Sequence, residues 1–208
     1  MKYILLLIIV LFTNACAEPT KTNIPRTVFD GIKYTGMVKE LPLKVPRTVE
    51  EFRELEKQAQ NGSSNAYFLL GKLYTDSSLK KSERDYQKAI EYYSKALKLD
   101  KNHAESLYNL GIIYSFGYGV QEDQIKANDL LQRAGDSGII NGYQIIGVNY
   151  LHGLGNSPQD LEKAFHYIKI NAEKGIVEKE ISQEIINHWD NFLILMGYKP
   201  IPLVGKSN

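Results

Sequence analysis

From Asn65 onward the chain repeats one pattern of apolar and polar positions. The segments NAYFLLGKLY (65–74), ESLYNLGIIY (105–114) and NGYQIIGVNY (141–150) align on Gly71, Gly111 and Gly147, with Tyr74, Tyr114 and Tyr150 three residues further on. Each is followed by a turn and then a second amphipathic stretch: YQKAIEYYSKAL (86–97), IKANDLLQRAG (125–135) and LEKAFHYIKINA (161–172). There Lys88-Ala89, Lys126-Ala127 and Lys163-Ala164 align, and seven residues past the alanines stand Ala96, Ala134 and Asn171. The period is 40 then 36 counted on the glycines, and 38 then 37 counted on the Lys-Ala pairs. Two helices in about 37 residues is the signature of a solenoid, in which each pair buries its apolar face on the next. The expected fold is therefore all-α. Glycine and alanine mark where one helix must come close to another. A tyrosine three residues past the glycine shares its helix face and packs beside that contact.

The flanks read as helices too. Thr48-Val-Glu-Glu51 is a capping box, with Thr48 accepting from the first turn and Glu51 reaching back. It starts a helix over 48–60 that Asn61-Gly62 ends. In Val177–Met196, Ile181, Ile185, Trp189, Phe192 and Met196 recur at helical spacing, and Gly197, Pro200 and Pro202 stop the pattern. This segment is expected to cap the open end of the array. A partner-binding amphipathic helix is the alternative.

The second unit, LGIIYSFGYGVQEDQIKANDLLQRAGDSG (110–138), resembles the Sel1-like repeat, a longer-looped relative of the tetratricopeptide repeat. It has that family's Leu-Gly, Tyr, Gly-x-Gly-Val turn, Lys-Ala, Ala and final Gly. The third unit keeps Gly153-x-Gly155 but has Asn156 in place of Val. The first lacks the Gly-x-Gly turn and reads TDSSLKKSERD there, closer to an ordinary tetratricopeptide unit. The resemblance implies a short right-handed α-solenoid of Sel1-like and tetratricopeptide-like helix pairs. It implies little about function, which resides in sites rather than folds.

The N-terminus changes the picture of location. Ile4–Phe12 is an unbroken apolar run behind Lys2, too short to span a bilayer and suited to a secretory signal. The chain's one cysteine, Cys16, follows Thr13, Asn14 and Ala15. The arrangement resembles a bacterial lipoprotein signal, which implies cleavage before Cys16 and lipidation on it. Thr13 stands where that signal usually has Leu. A plain secretory signal cut after Ala15 or Ala17 is the alternative. Ala17, rather than Asp, after the cysteine implies an outer-membrane destination facing the periplasm. The organisation is then a signal over 1–15 and a Pro-containing tether over 16–47, with four of the seven prolines. The solenoid spans 48–176, with repeats at about 65–101, 104–138 and 141–175. A C-terminal helix and tail cover 177–208.

Composition and motifs narrow the chemistry. Lys+Arg is 25 against 24 Asp+Glu, so no net basic charge argues for nucleic acid. One cysteine excludes an intrachain disulfide and a multi-cysteine metal site. His103, His152, His166 and His188 lack metal-ligand spacing, and no nucleophile elbow or phosphate loop occurs. Gly117-x-Gly119 and Gly153-x-Gly155 read as turns with positive φ. Glu50-Glu51 and Glu122-Asp123 read as helix-start or turn carboxylates. Eleven of the fourteen tyrosines fall between Tyr67 and Tyr167, inside the repeats, and read as packing residues. No catalytic residues, metal ligands or cofactor are expected.

What remains is a surface. The first helix of each pair is expected to line a groove. Registered on the glycines, its positions are Asn65, Phe68 and Lys72; Glu105, Tyr108 and Ile112; and Asn141, Gln144 and Val148. The alternative for Ile112 and Val148 is burial in neighbouring helices. The expected function is protein binding without catalysis, with the membrane reached only through the lipid. Small envelope lipoproteins of this kind include immunity proteins, which implies a secreted antibacterial effector, such as a lipase or phospholipase, as the partner to be occluded. An envelope scaffold or regulatory adaptor is the alternative, and an envelope hydrolase with a concealed site a third.

Overall fold

The computed structural model describes residues 46, 48–76, 79–174, 186–195 and 197–199. The proposed signal, Cys16 and nearly all of the tether lie outside them, as does 177–185 of the C-terminal segment. The described residues form eight α-helices and one short 3-10 turn, without strands. The helices are α1 (Val49–Gln60), α2 (Ser64–Leu73), α3 (Tyr86–Leu99), α4 (Ala104–Phe116), α5 (Gln124–Asp136), α6 (Asn141–His152), α7 (Leu161–Lys174) and α8 (Trp189–Leu195). From α1 to α7 each helix packs on its chain neighbours, and most closely within the pairs α2–α3, α4–α5 and α6–α7. This is the all-α solenoid that the repeat pattern predicts.

The capping box at Thr48 is formed as expected. Thr48 Oγ1 accepts from Glu51 N at 3.1 Å, and Thr48 N donates to Glu51 Oε2 at 3.2 Å. Inside each pair the aligned glycine faces the second helix. A Cβ on Gly71 would stand 2.6 Å from the Tyr93 ring; on Gly111, 2.6 Å from Leu131; on Gly147, 2.8 Å from Ile168. The carbonyls of Ala89, Ala127 and Ala164 lie just behind those side chains, at 3.2 to 3.4 Å. The alanines are fully buried. Glycine on one helix and alanine on the other therefore let the two axes approach, as expected.

A second close approach joins α5 to α6, and the repeat alignment did not single it out. A Cβ on Gly142 would overlap the Leu131 carbonyl oxygen, and one on Gly135 would meet the Tyr143 ring at 2.7 Å. Gly142 aligns with Ala66 and Ser106, both buried, so this position is small in every repeat.

The turns then set one repeat on the one before. Gly117, Gly119, Gly153 and Gly155 all have positive φ, between 57° and 67°. In the second repeat, Tyr118 stacks on Tyr86 at 4.9 Å and Gln87 Nε2 donates to the Gly119 carbonyl. Asn156 in the third repeat accepts from the Gln124 and Ile125 backbone N–H groups at 2.8 and 3.2 Å. Its side-chain nitrogen donates to Asp123 Oδ1 at 3.2 Å. The departure from Val at Asn156 thus gives the preceding repeat's α5 a second N-terminal cap. At the far end Trp189 packs edge-on to Phe165 at 5.1 Å, and Trp189, Phe192 and Leu193 are buried.

Candidate interaction surface

The face left by this packing decides which side chains a partner meets. Five of the nine groove positions are half-buried neutral or aliphatic residues at the surface: Asn65, Ile112, Asn141, Gln144 and Val148. Lys72 is exposed. Ile112 and Val148 are therefore partly accessible, and Ile112 also packs against the core.

Phe68 and Tyr108 are a correction. Both are buried, at 3% and 5% exposure, and neither is open to a partner. They stand three residues before the packing glycines, on the side of the first helix that meets neighbouring elements. The Phe68 ring lies 5.8 Å from Tyr93 and 5.4 Å from His103, at the start of the next repeat. Burial pushes the Tyr108 hydroxyl up to about 12.

His103 joins two other groove positions. It is the N-cap of α4, and its Nδ1 accepts from Ser106 N at 3.3 Å. That fixes the proton on Nε2, which donates to Asn65 Oδ1 at 2.8 Å. Glu105 Oε2 lies 3.5 Å from Nδ1, with its side chain only 16% exposed. Burial lowers the His103 pKa, against smaller opposing effects of Glu105 and Asp100. Asn65 is thus tied into the inter-repeat joint, and Glu105 sits beside it, mostly covered. The remaining histidines have local partners too: His152 Nδ1 lies 2.9 Å from the Tyr198 hydroxyl, and His166 packs edge-on to Tyr167. Among the described residues no group of three His, Cys, Asp or Glu side chains is placed to hold a metal ion. Nor is any described helix long and apolar enough to cross a membrane.

A further motif recurs at the start of each second helix. Asp85, Asp123 and Asp160 each accept from the backbone N–H three residues on, at Lys88, Lys126 and Lys163. Each also donates its own N–H to the carbonyl of Tyr74, Tyr114 or Tyr150. The lysine that follows lies over the ring of that tyrosine, at 5.1, 3.8 and 5.0 Å from its centroid. The signal was present as Asp-x-x-Lys-Ala in all three units. Asp123 is thereby a cap, as a carboxylate in a turn should be. Its pKa is held below the usual range, mainly by the Lys126 N–H and then by Asn156. These lysines and tyrosines clamp first helix to second, a structural use.

Comparisons with known proteins agree with this geometry. Residues 104–139 and 145–176 match the Sel1 repeat model, and 82–115 match the TPR repeat model. The chain is 34% identical over 107 residues to the ERAD-associated E3 ubiquitin-protein ligase component HRD3B of Arabidopsis thaliana. It is 32% identical over 97 residues to chitin synthase regulatory factor 3 of Schizosaccharomyces pombe. These alignments cover 51% and 47% of this chain but only 16% and 10% of those relatives, so the likeness spans a small part of each. Among solved structures, a Sel1 repeat protein from Oxalobacter formigenes superposes with a TM-score of 0.57 at 25% identity, over 73% of this chain and 58% of that one. The protective antigen c5321 of uropathogenic Escherichia coli, displaying an SLR fold, gives 0.56 at 17% identity, over 69% and 29%, a likeness of fold alone. The paired helices, glycine contacts and turns agree with the TPR and Sel1 repeat models where these match, over 82–115, 104–139 and 145–176.

Proposed function

We propose that this chain is a non-enzymatic, protein-binding adaptor, held at the cell envelope by a lipid on Cys16. The observation that carries the binding role is the face of α2, α4 and α6. It keeps accessible aliphatic and amide side chains at matching repeat positions, Ile112 and Val148 above all. Surfaces of that make-up suit burial against another protein. The relatives are named as a ligase component and as a regulatory factor, both roles exercised through other proteins. The envelope location rests on the apolar run that ends at the sole cysteine.

Affinity capture with the full chain, from envelope and secreted fractions of the source cells, tests the role. Recovery of several envelope proteins supports the adaptor. Recovery of one stoichiometric secreted toxin supports the finer immunity reading, which an envelope-held chain would suit. Recovery of no protein above a bead control removes both. Cys16→Ser is expected to abolish labelling by a fatty-acid analogue, and persistent labelling would remove the anchor.

A further inference from the structure

The chemistry of the partner can be taken one step further, resting on the protein-binding reading above. Charge is divided unequally between the two kinds of helix. Helices α3, α5 and α7 carry thirteen Asp, Glu, Lys or Arg residues, whereas α2, α4 and α6 carry two, Lys72 and Glu105. Glu105 is mostly covered, its side chain 16% exposed. Lys72 is exposed, and no ion pair or ring contact engages its ammonium among the described residues. The first-helix face therefore offers one cation at the first repeat, then Ile112 and Val148 at the same position of the second and third.

We propose that this face binds a largely uncharged segment of a partner protein. The segment sets aliphatic side chains against Ile112 and Val148 and a single carboxylate against Lys72. A segment with several charges would surrender their hydration for one matching group, and charged groups desolvated without a partner oppose binding. Asn141, on the same helix as Val148, adds a neutral hydrogen-bonding amide to this face. Because one ion pair contributes, binding should depend weakly on salt.

The test selects random short peptides displayed on phage against the full chain, including peptides with free C-termini. The expected winners carry Leu, Ile, Val or Met with one acidic group, either a side chain or the C-terminal carboxylate. Their affinity should change less than about threefold between low and physiological salt. Ile112→Asp with Val148→Asp should weaken them at least about tenfold. Lys72→Glu, at an exposed position that leaves folding intact, should reverse the preference from an acidic to a basic residue. Winners with several charges, or winners indifferent to both variants, overturn the inference. If no peptide is enriched while affinity capture still recovers a partner, the partner presents a folded surface. The neutral-segment inference then fails and the adaptor reading stands.

Discussion

The joint between the first and second repeats and the joint between the second and third occupy equivalent places but use different chemistry. In the first, the turn is seated by the Tyr118–Tyr86 stack, and Phe68 covers His103. In the second, Asn156 caps α5, and a buried polar set lies beneath it. Asn149 donates to Asn128 Oδ1 at 2.8 Å, and Ser115 Oγ donates to Gln124 Oε1 at 3.0 Å. Asn149 stands where the other repeats have Leu73 and Ile113, and Asn171 where they have Ala96 and Ala134. All of these polar groups are buried, and Asn128 Nδ2 has no partner. Aromatic contact is tolerant of small displacements, whereas a set of directed hydrogen bonds holds one register and is costly when incomplete. The second joint should therefore be the more specific of the two and the more easily broken.

The comparison can be broken most severely at the second joint's closest approach. Gly142→Ala forces a methyl onto the Leu131 carbonyl, which is backbone and cannot turn aside. It should cost about 3 kcal/mol or more, read by thermal or urea unfolding. Gly71→Ala presses chiefly on the Tyr93 ring edge, with the Ala89 carbonyl farther off at 3.2 Å, and should cost less, about 1–3 kcal/mol. Equal losses would deny that the Gly142 contact is the less forgiving of the two.

Single and double changes in the polar set should behave oppositely. Asn149→Ala alone strands Asn128 and should cost about 1–3 kcal/mol. Asn128→Leu with Asn149→Ile replaces the buried amides by the apolar type of the other repeats and should be near neutral or stabilising. A double variant weaker than the single one would show the network to be a net source of stability.

Asn156→Val restores the residue that the second repeat has in its turn. It removes the added cap of α5 and should lower stability by about 1 kcal/mol. Hydrogen exchange should rise first at the α5 N-terminus, and unchanged exchange there would dismiss the cap.

The first joint is expected to be the pH-sensitive one. Burial lowers the folded-state pKa of His103 below its ordinary 6.5. The unfolded chain thus takes up the proton first, so this stability is complete above 6.5 and is lost as pH falls from there to the folded value. His152 is lowered by burial in the same sense. His103→Asn keeps an N-cap acceptor but does not titrate. The variant should show a shallower fall in unfolding free energy over that window, and an identical slope would acquit His103.

The repeats were legible because glycine, alanine and tyrosine recur at fixed spacing for one steric reason. The positive-φ turns were legible for the same reason, and so was the capping box at Thr48. The groove was legible only in part. Phe68 and Tyr108 share the helix face of Lys72 and Ile112 to within one position. Whether that position looks outward or into the next repeat depends on how repeats stack, which periodicity within one helix does not specify. Asn156 looked like a lapse from the repeat pattern because its role is to cap a helix 31 residues earlier. A cap supplied from another repeat leaves no local signature.

The central claim is that the face of α2, α4 and α6 is where this chain meets its partner. Its most direct test is side-by-side capture by three full chains: the wild type, a variant with Lys72→Glu, Ile112→Asp and Val148→Asp, and a second-helix variant with Lys98→Glu and Asp129→Lys. All three are first checked for equal helicity. The expected result is that the wild type and the second-helix variant recover the same protein, and the first-helix variant loses it. Retention of that protein by the first-helix variant, with loss from the second-helix one, would contradict the claim.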